Sequence, residues 1–360
     1  MRVSVVEPFH SVFYTPHYVA LHLGHFADAG LEVDTRTGSG STSTTRALID
    51  GSAQVCLGGL MRSLDLADRG GRLLPHFAGV NSRNGFFLIS RQPRPSFAWS
   101  EVVGRTVISF TGAPTPYQSM LTVLRRAGVD PARVAFVRDL APVDAVAAFR
   151  SGRGDFIEVG QPTAEVLLDE GFHLAVSMGD ATGPVPFSSY MTTPDRLRRD
   201  PELIVAFTRA VHRAQTWIAT HDAKALTEVI APSFADIPRA VCERAVGRYL
   251  AQGTWARDPL LRQPGYEYLV AIRTSSTRRW PSARCKRRRR APSADALAAV
   301  GALRRSANRD RRDGRAGGAL ELQRLDDERE LVHALGHQLV ELQVLEDVNT
   351  VHDQENLVAG

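Results

Sequence analysis

Lysine is nearly missing from this chain of 360 residues: of its 44 basic side chains only Lys224 and Lys286 are lysines. Chemistry that runs through an imine needs a lysine amine inside a cleft, so few positions are left for it. Cysteine is equally scarce. Cys56, Cys242 and Cys285 are odd in number, far apart and outside any CxxC spacing, which argues against a disulfide framework or a zinc site and makes buried thiols the ordinary reading. No run approaches the ~20 apolar residues that span a bilayer. The first ten residues lack a basic segment followed by an apolar one, so the chain as written reads as having no export signal. The expectation is a cytoplasmic protein, or a periplasmic or cell-surface one if the true start lies upstream. No GxSxG, HExxH or GxGxxG falls in a fitting context, and His10, His17 and His76 stand alone. No metal, cofactor or catalytic residue is therefore expected.

What is present is an ordinary globular composition, 43% hydrophobic and 23% charged, with a formal net charge of +5. The charge is unevenly placed. Arg273 to Arg290 holds nine Lys/Arg and no acid, whereas residues 1 to 272 hold 27 basic against 26 acidic residues. The body is nearly neutral, so it is not expected to bind nucleic acid. Residues 273 to 360 form an atypical tail, first basic, then amphipathic through Leu331, Leu335, Leu339 and Leu342. It reads as a disordered, solvated run or as the product of a shifted reading frame, with a nucleic-acid-binding tail as the alternative. His333 and His337 share a helical face there, too little for a metal site.

Through the first two hundred residues strand-like runs alternate with helix-like ones, the pattern of an α/β protein with parallel sheets. Strands are expected at Val3 to Val6, Leu31 to Asp34, Gln54 to Leu57 and Phe86 to Ile89. A second series follows Pro93-Arg94-Pro95, at Thr106 to Ser109, Val134 to Val137 and Asp155 to Val159. Helices are expected from Thr15 to Ala29 and, for the most part, from Pro201 to Ala251. The two series predict two lobes: residues 1–92 with 188–272, and residues 93–187. Chain crossings are expected near 91–105 and 178–192.

In open α/β sheets ligands bind beyond the carboxyl ends of the strands, so the loops there hold the candidates. Gly38 to Thr45 offers Ser39, Ser41 and Thr42, whose hydroxyls suit an anion, although no Gly-Lys-Ser/Thr makes it a phosphate loop. Gly58 and Gly59 expose backbone amides to a ligand or make a tight turn. Thr111 and Thr115 open the first helix of the second lobe. Tyr14 and His17 follow the first strand, where an aromatic can stack on a flat ring. Glu158 ends an apolar strand and can accept from an amine.

Phe13-Tyr14-Thr15-Pro16-His17-Tyr18-Val19-Ala20, Gly24 to Val33 and Gly51 to Gly59 resemble the substrate-binding proteins that group with sulfonate receptors and thiamine-pyrimidine synthases. The resemblance runs over roughly residues 1 to 272. It implies a two-lobed periplasmic-binding-protein type II fold, each lobe a mostly parallel sheet flanked by helices, that closes on one small molecule and delivers it to an ABC permease and ATPase. Three further stretches, containing Asn84, Gln161 and Tyr190, resemble those of members that bind nitrate, sulfonate or pyrimidine-like ligands. The alternative it implies is the synthase branch, which makes the thiamine pyrimidine from pyridoxal phosphate and a histidine of its own chain. That branch needs a lysine where this chain has Gly58-Gly59 and a histidine where it has Arg62, so a binder rather than an enzyme is expected.

Overall fold

A computed structural model describes residues 1–39 and 42–277. Ser41 and the region 278–360, with Cys285, Lys286, His333 and His337, lie outside the described residues. Ten strands form two five-stranded sheets. In the first, β1 (Arg2–Glu7), β2 (Glu32–Thr37), β3 (Val55–Gly58), β4 (His76–Asn81) and β10 (Ser188–Met191) lie in the order β2-β1-β3-β10-β4. In the second, β5 (Phe87–Ser90), β6 (Thr106–Ile108), β7 (Ala135–Val137), β8 (Phe156–Val159) and β9 (His173–Ser177) lie in the order β7-β6-β8-β5-β9. Both sheets follow one plan. Three parallel strands are joined through helices, and a single antiparallel strand, β10 or β5, is inserted before the last.

The central strands are apolar because helices cover both faces. Val3, Val5, Val55 and Leu57 are buried in the first sheet, and Leu88, Ile89, Val107, Ile108 and Ile157 in the second. The helix Pro201–Ile218 returns to the first sheet and sets Phe207 against Phe26, Phe77 and Tyr190 at ring distances of 4.7 to 5.9 Å. Burial of a side chain that size contributes about 1.5–3 kcal/mol. The helix expected over Thr15 to Ala29 is broken: Thr15–His22 ends before Gly24, whose φ of 74° lies where only glycine is unstrained, and His25–Asp28 resumes beyond it.

One expected boundary changes. Phe87–Ser90 pairs antiparallel with β8 and β9, so it belongs to the second sheet and not to the lobe expected over 1–92. A strand buried on both faces fits the middle of either sheet, and its composition does not say which. The chain crosses between sheets at residues 82–86 rather than 91–105, and returns through the helix Met178–Thr182 and the residues leading to β10. The boundary expected at 272 falls inside the last described helix, Gln263–Thr277, whose Leu269 and Ile272 are fully buried. Among the described residues no helix is long and apolar enough to cross a membrane, and no group of three or more His, Cys, Asp or Glu could hold a metal ion.

A candidate ligand cleft between the two sheets

The loops after β1, β3, β6 and β7 meet where the carboxyl ends of the two sheets face each other. Arg62 lies at the middle of this meeting. It sits in the first turn of the helix Met61–Ala67, just after Gly58-Gly59, and is only 5% exposed. Its Nη2 crosses between the sheets to donate to the Gly112 carbonyl at 3.1 Å, while Nη1, buried as well, has no hydrogen-bond partner among the described residues. Burial lowers the pKa of the guanidinium, because charge is costly away from water.

Around Arg62 the walls are aromatic. Tyr14, 2% exposed, lies within reach of its charge and shares a hydrogen bond with Ser188; burial raises the pKa of its hydroxyl. The Phe9 ring is 5.4 Å from Tyr14 and 6.0 Å from Phe110, which follows β6 in the opposite sheet. Phe110 in turn packs on Phe86 at 4.6 Å and against Gly112. Phe9 and Phe110 are both partly exposed. Gly59 must be small: a Cβ there would stand 3.0 Å from the Phe187 carbonyl and 3.3 Å from Thr115 Oγ1.

A cavity of about 450 Å³ opens beside these residues, within the ~300–1,000 Å³ usual for small-ligand sites. Thr42, Arg46, Arg62 and Arg69 line it from the first sheet's side, and Thr111 and Arg138 from the second's. Thr111 is held by donating to the Leu140 carbonyl at 2.7 Å, and Arg138 by stacking over the Tyr117 ring at 3.6 Å.

Of the residues expected at the site, Thr42 and Thr111 line this cavity, while Tyr14, Gly58, Gly59 and Thr115 lie behind it, with Tyr14 within reach of the Arg62 charge, Gly58 packed under the Arg62 stem and Gly59 against Thr115. Ser39 is exposed on the loop after β2. Glu158 lies under the β6 loop. Its Oε2 accepts from the Ser109 hydroxyl at 3.0 Å and from the Phe110 backbone N–H at 3.4 Å, its Oε1 has no hydrogen-bond partner among the described residues, and burial pushes its pKa up to about 7.

Four expectations are corrected in position. His17 and Tyr190 belong to the core of the first sheet. The His17 ring nitrogens are bonded to the Tyr190 and Thr35 hydroxyls at 2.8 Å each, and burial lowers the His17 pKa to about 4. Asn84 and Gln161 sit at the junction of the sheets. Asn84 Oδ1 accepts from the Phe86 N–H, and its backbone carbonyl accepts from Gln252 Nε2 at 2.8 Å. The Gln161 carbonyl accepts from the Ser11 hydroxyl, its N–H donates to the Tyr249 hydroxyl, and its side chain is bonded to Glu165. Arg46, Arg62, Arg69 and Arg138 were not expected as ligand contacts. A signal existed for Arg62: a cation in the first turn of a helix stands against the helix dipole, an arrangement that calls for a compensating anion.

The model of the family described as "NMT1/THI5 like" matches residues 12–225. The chain belongs to this family. Among relatives, it is 30% identical over 278 residues to YtlA of Bacillus subtilis strain 168, a protein named for a binding role, covering 76% of this chain and 83% of YtlA. Among solved structures it resembles the alkanesulfonate-binding protein SsuA from Xanthomonas axonopodis pv. citri, bound to MOPS. The TM-score there is 0.60 at 15% identity, over 76% of this chain and 91% of that one. It also resembles the desulfurization enzyme DSZB, with a TM-score of 0.54 at 18% identity over 76% and 91% of the two chains. The architecture is thus the periplasmic-binding-protein fold expected from the sequence, and in this fold both binders and an enzyme occur.

Proposed function

We propose that this protein is the solute-binding component of an ABC-type uptake system, whose two sheets act as lobes that close on a small anionic molecule. The observation that carries the reading is the buried Arg62 guanidinium, shared between the lobes, with no hydrogen-bond partner for Nη1 among the described residues. A buried charge of that kind is costly unless an opposite charge meets it; Asp65, the carboxylate nearby, is already paired with Arg273, and an anionic ligand can supply the rest. Tyr14, Gly58, Gly59, Thr42, Thr111 and Thr115 complete the site, and the partly exposed Phe9 and Phe110 rings favour a flat or apolar body on the ligand. The binding role in the name of YtlA and the sulfonate bound by the structural neighbour point the same way. A permease and an ATPase are the partners this role requires.

The synthase reading fits these residues less well. It needs an amine in the cleft, whereas Lys224 is exposed on the helix Ala223–Ile230 and the cleft holds glycine and arginine in place of lysine and histidine. Titration calorimetry with alkanesulfonates, nitrate and aminopyrimidines tests the proposal. Saturable binding of an anion is expected; binding confined to neutral or cationic pyrimidines would overturn it.

A further inference from the structure

Arg62 is not alone in lacking a counter-ion. Arg46, Arg69 and Arg138 line the same cavity, all three exposed, and none of the four forms an ion pair among the described residues. Arginines without a carboxylate partner among the described residues occur elsewhere on the surface, Arg133, Arg199 and Arg257 among them; what sets these four apart is that they line one cavity. Two carboxylates also line the cavity: Asp65 faces Arg273 at 3.3 Å, and Asp50 accepts from the Ser52 N–H and acts electrostatically on Arg46, so four guanidiniums meet two carboxylates there. Four guanidiniums that form no ion pair among the described residues line the cavity from three segments: Arg46 from the helix Ser43–Ile49, Arg62 and Arg69 from the helix Met61–Ala67 and its end, and Arg138 from the loop after β7.

We infer that the ligand carries two anionic groups, one met by the buried Arg62 and the other by the outer arginines Arg46, Arg69 and Arg138. This rests on the anion-binding reading and narrows it from a simple monoanion to a small dianion. A single oxyanion on Arg62 would leave the cavity lining with an excess of positive charge: against Asp50, and an Asp65 already paired with Arg273, stand three further guanidiniums. Their mutual repulsion opposes closure until a second negative group enters. The second group therefore acts on closure as well as on affinity, since it is the charge that lets the two rims approach.

The test compares matched probes on the full chain. Ethanesulfonate and 1,2-ethanedisulfonate differ in the second charge, and calorimetry gives the ratio of their affinities. In the unmodified protein the disulfonate is expected to bind about tenfold tighter or more, with the steeper salt dependence that a second charge contact implies. In the double variant Arg46→Gln with Arg138→Gln that ratio should fall to about one to two, whereas Arg62→Gln should weaken both probes. Circular dichroism and melting temperature establish that each variant is folded. Equal affinity of the two probes in the unmodified protein, or an unchanged ratio in the double variant, overturns the dianion inference and leaves anion binding standing. Failure of both probes to bind removes the two together.

Discussion

Arg62 is held at a cost that a purely structural residue would not carry. Its bond to the Gly112 carbonyl answers one of its two terminal nitrogens, and the other is buried with no hydrogen-bond partner among the described residues. Replacing a poorly compensated buried charge by an apolar side chain of similar length is often neutral or stabilising. Arg62→Met is therefore expected to keep or raise the melting temperature of the free protein, by about 2–4 °C for each kcal/mol gained in a chain of this size class. The same change should weaken anion binding roughly ten- to hundredfold, the worth of a hydrogen bond to a charged group. Thermal unfolding and calorimetry on one preparation check both; a falling melting temperature would assign Arg62 to the scaffold. Glu158 gives a second test. Its folded pKa of about 7 exceeds the ordinary 4.5, so between those values the folded chain holds a proton that the unfolded chain has released. Stability from this group is complete below pH 4.5 and declines as pH rises to about 7, by on the order of 3 kcal/mol. Glu158→Gln keeps an acceptor for Ser109 and Phe110 without the charge. Urea unfolding should show it equal to the parent at pH 4.5 and more stable at pH 8.

At the scale of elements, β4 and β10 are pinned by a histidine. His76 Nδ1 meets the Ser189 hydroxyl at 2.8 Å and Nε2 the Ser63 hydroxyl at 2.7 Å, and burial lowers its pKa to about 3. Between that value and 6.5 the unfolded chain binds a proton that the folded chain refuses, so stability is full above pH 6.5 and lost on acidification. His76→Gln, which can still join two hydroxyls, is expected to flatten the fall in stability measured by urea unfolding between pH 6.5 and 4.5. The polar pair also explains which strands the sequence revealed. β1, β3, β6 and β8 are apolar runs bounded by glycine or polar loops, and their periodicity is plain. In β4 and β10, by contrast, the residues His76, Asn81, Ser188 and Ser189 bury themselves by bonding to partners far away in sequence, which no local pattern records. The cleft divides the same way. Gly58, Gly59, Thr111 and Thr115 were legible because strand ends and glycines mark them. Arg46, Arg69 and Arg138 were not, because an exposed arginine becomes a site residue only when folding sets it beside others.

For the molecule as a whole the question is what resists opening of the cleft. Tyr249 and Gln252, on the helix Arg239–Gln252, bond the Gly85 and Asn84 carbonyls of one crossing, and Gln252 also accepts from Ser177 at the other, so both crossings are held from behind. At the mouth, the helix Gln263–Thr277 makes the complementary tie. It packs along the second lobe's helix Pro114–Arg126, where Arg125 donates to the Ser275 carbonyl at 2.6 Å and the Thr122 and Ser275 hydroxyls meet at 2.8 Å. From the same helix Arg273 reaches Asp65 and Asp68, which follow Arg62 on the first lobe's side. Opening the cleft must separate Arg273 from these carboxylates, while closing it on a ligand needs no further step at this tie. Partly exposed ion pairs of this kind contribute about 0.2–1 kcal/mol, which corresponds to a change of up to about fivefold in a rate. Arg273→Ala should therefore speed ligand release by two- to fivefold and leave the association rate nearly unchanged, as measured by stopped-flow displacement. An effect on association alone would place the tie in the open state instead, and the helix would then act as a brake on closure.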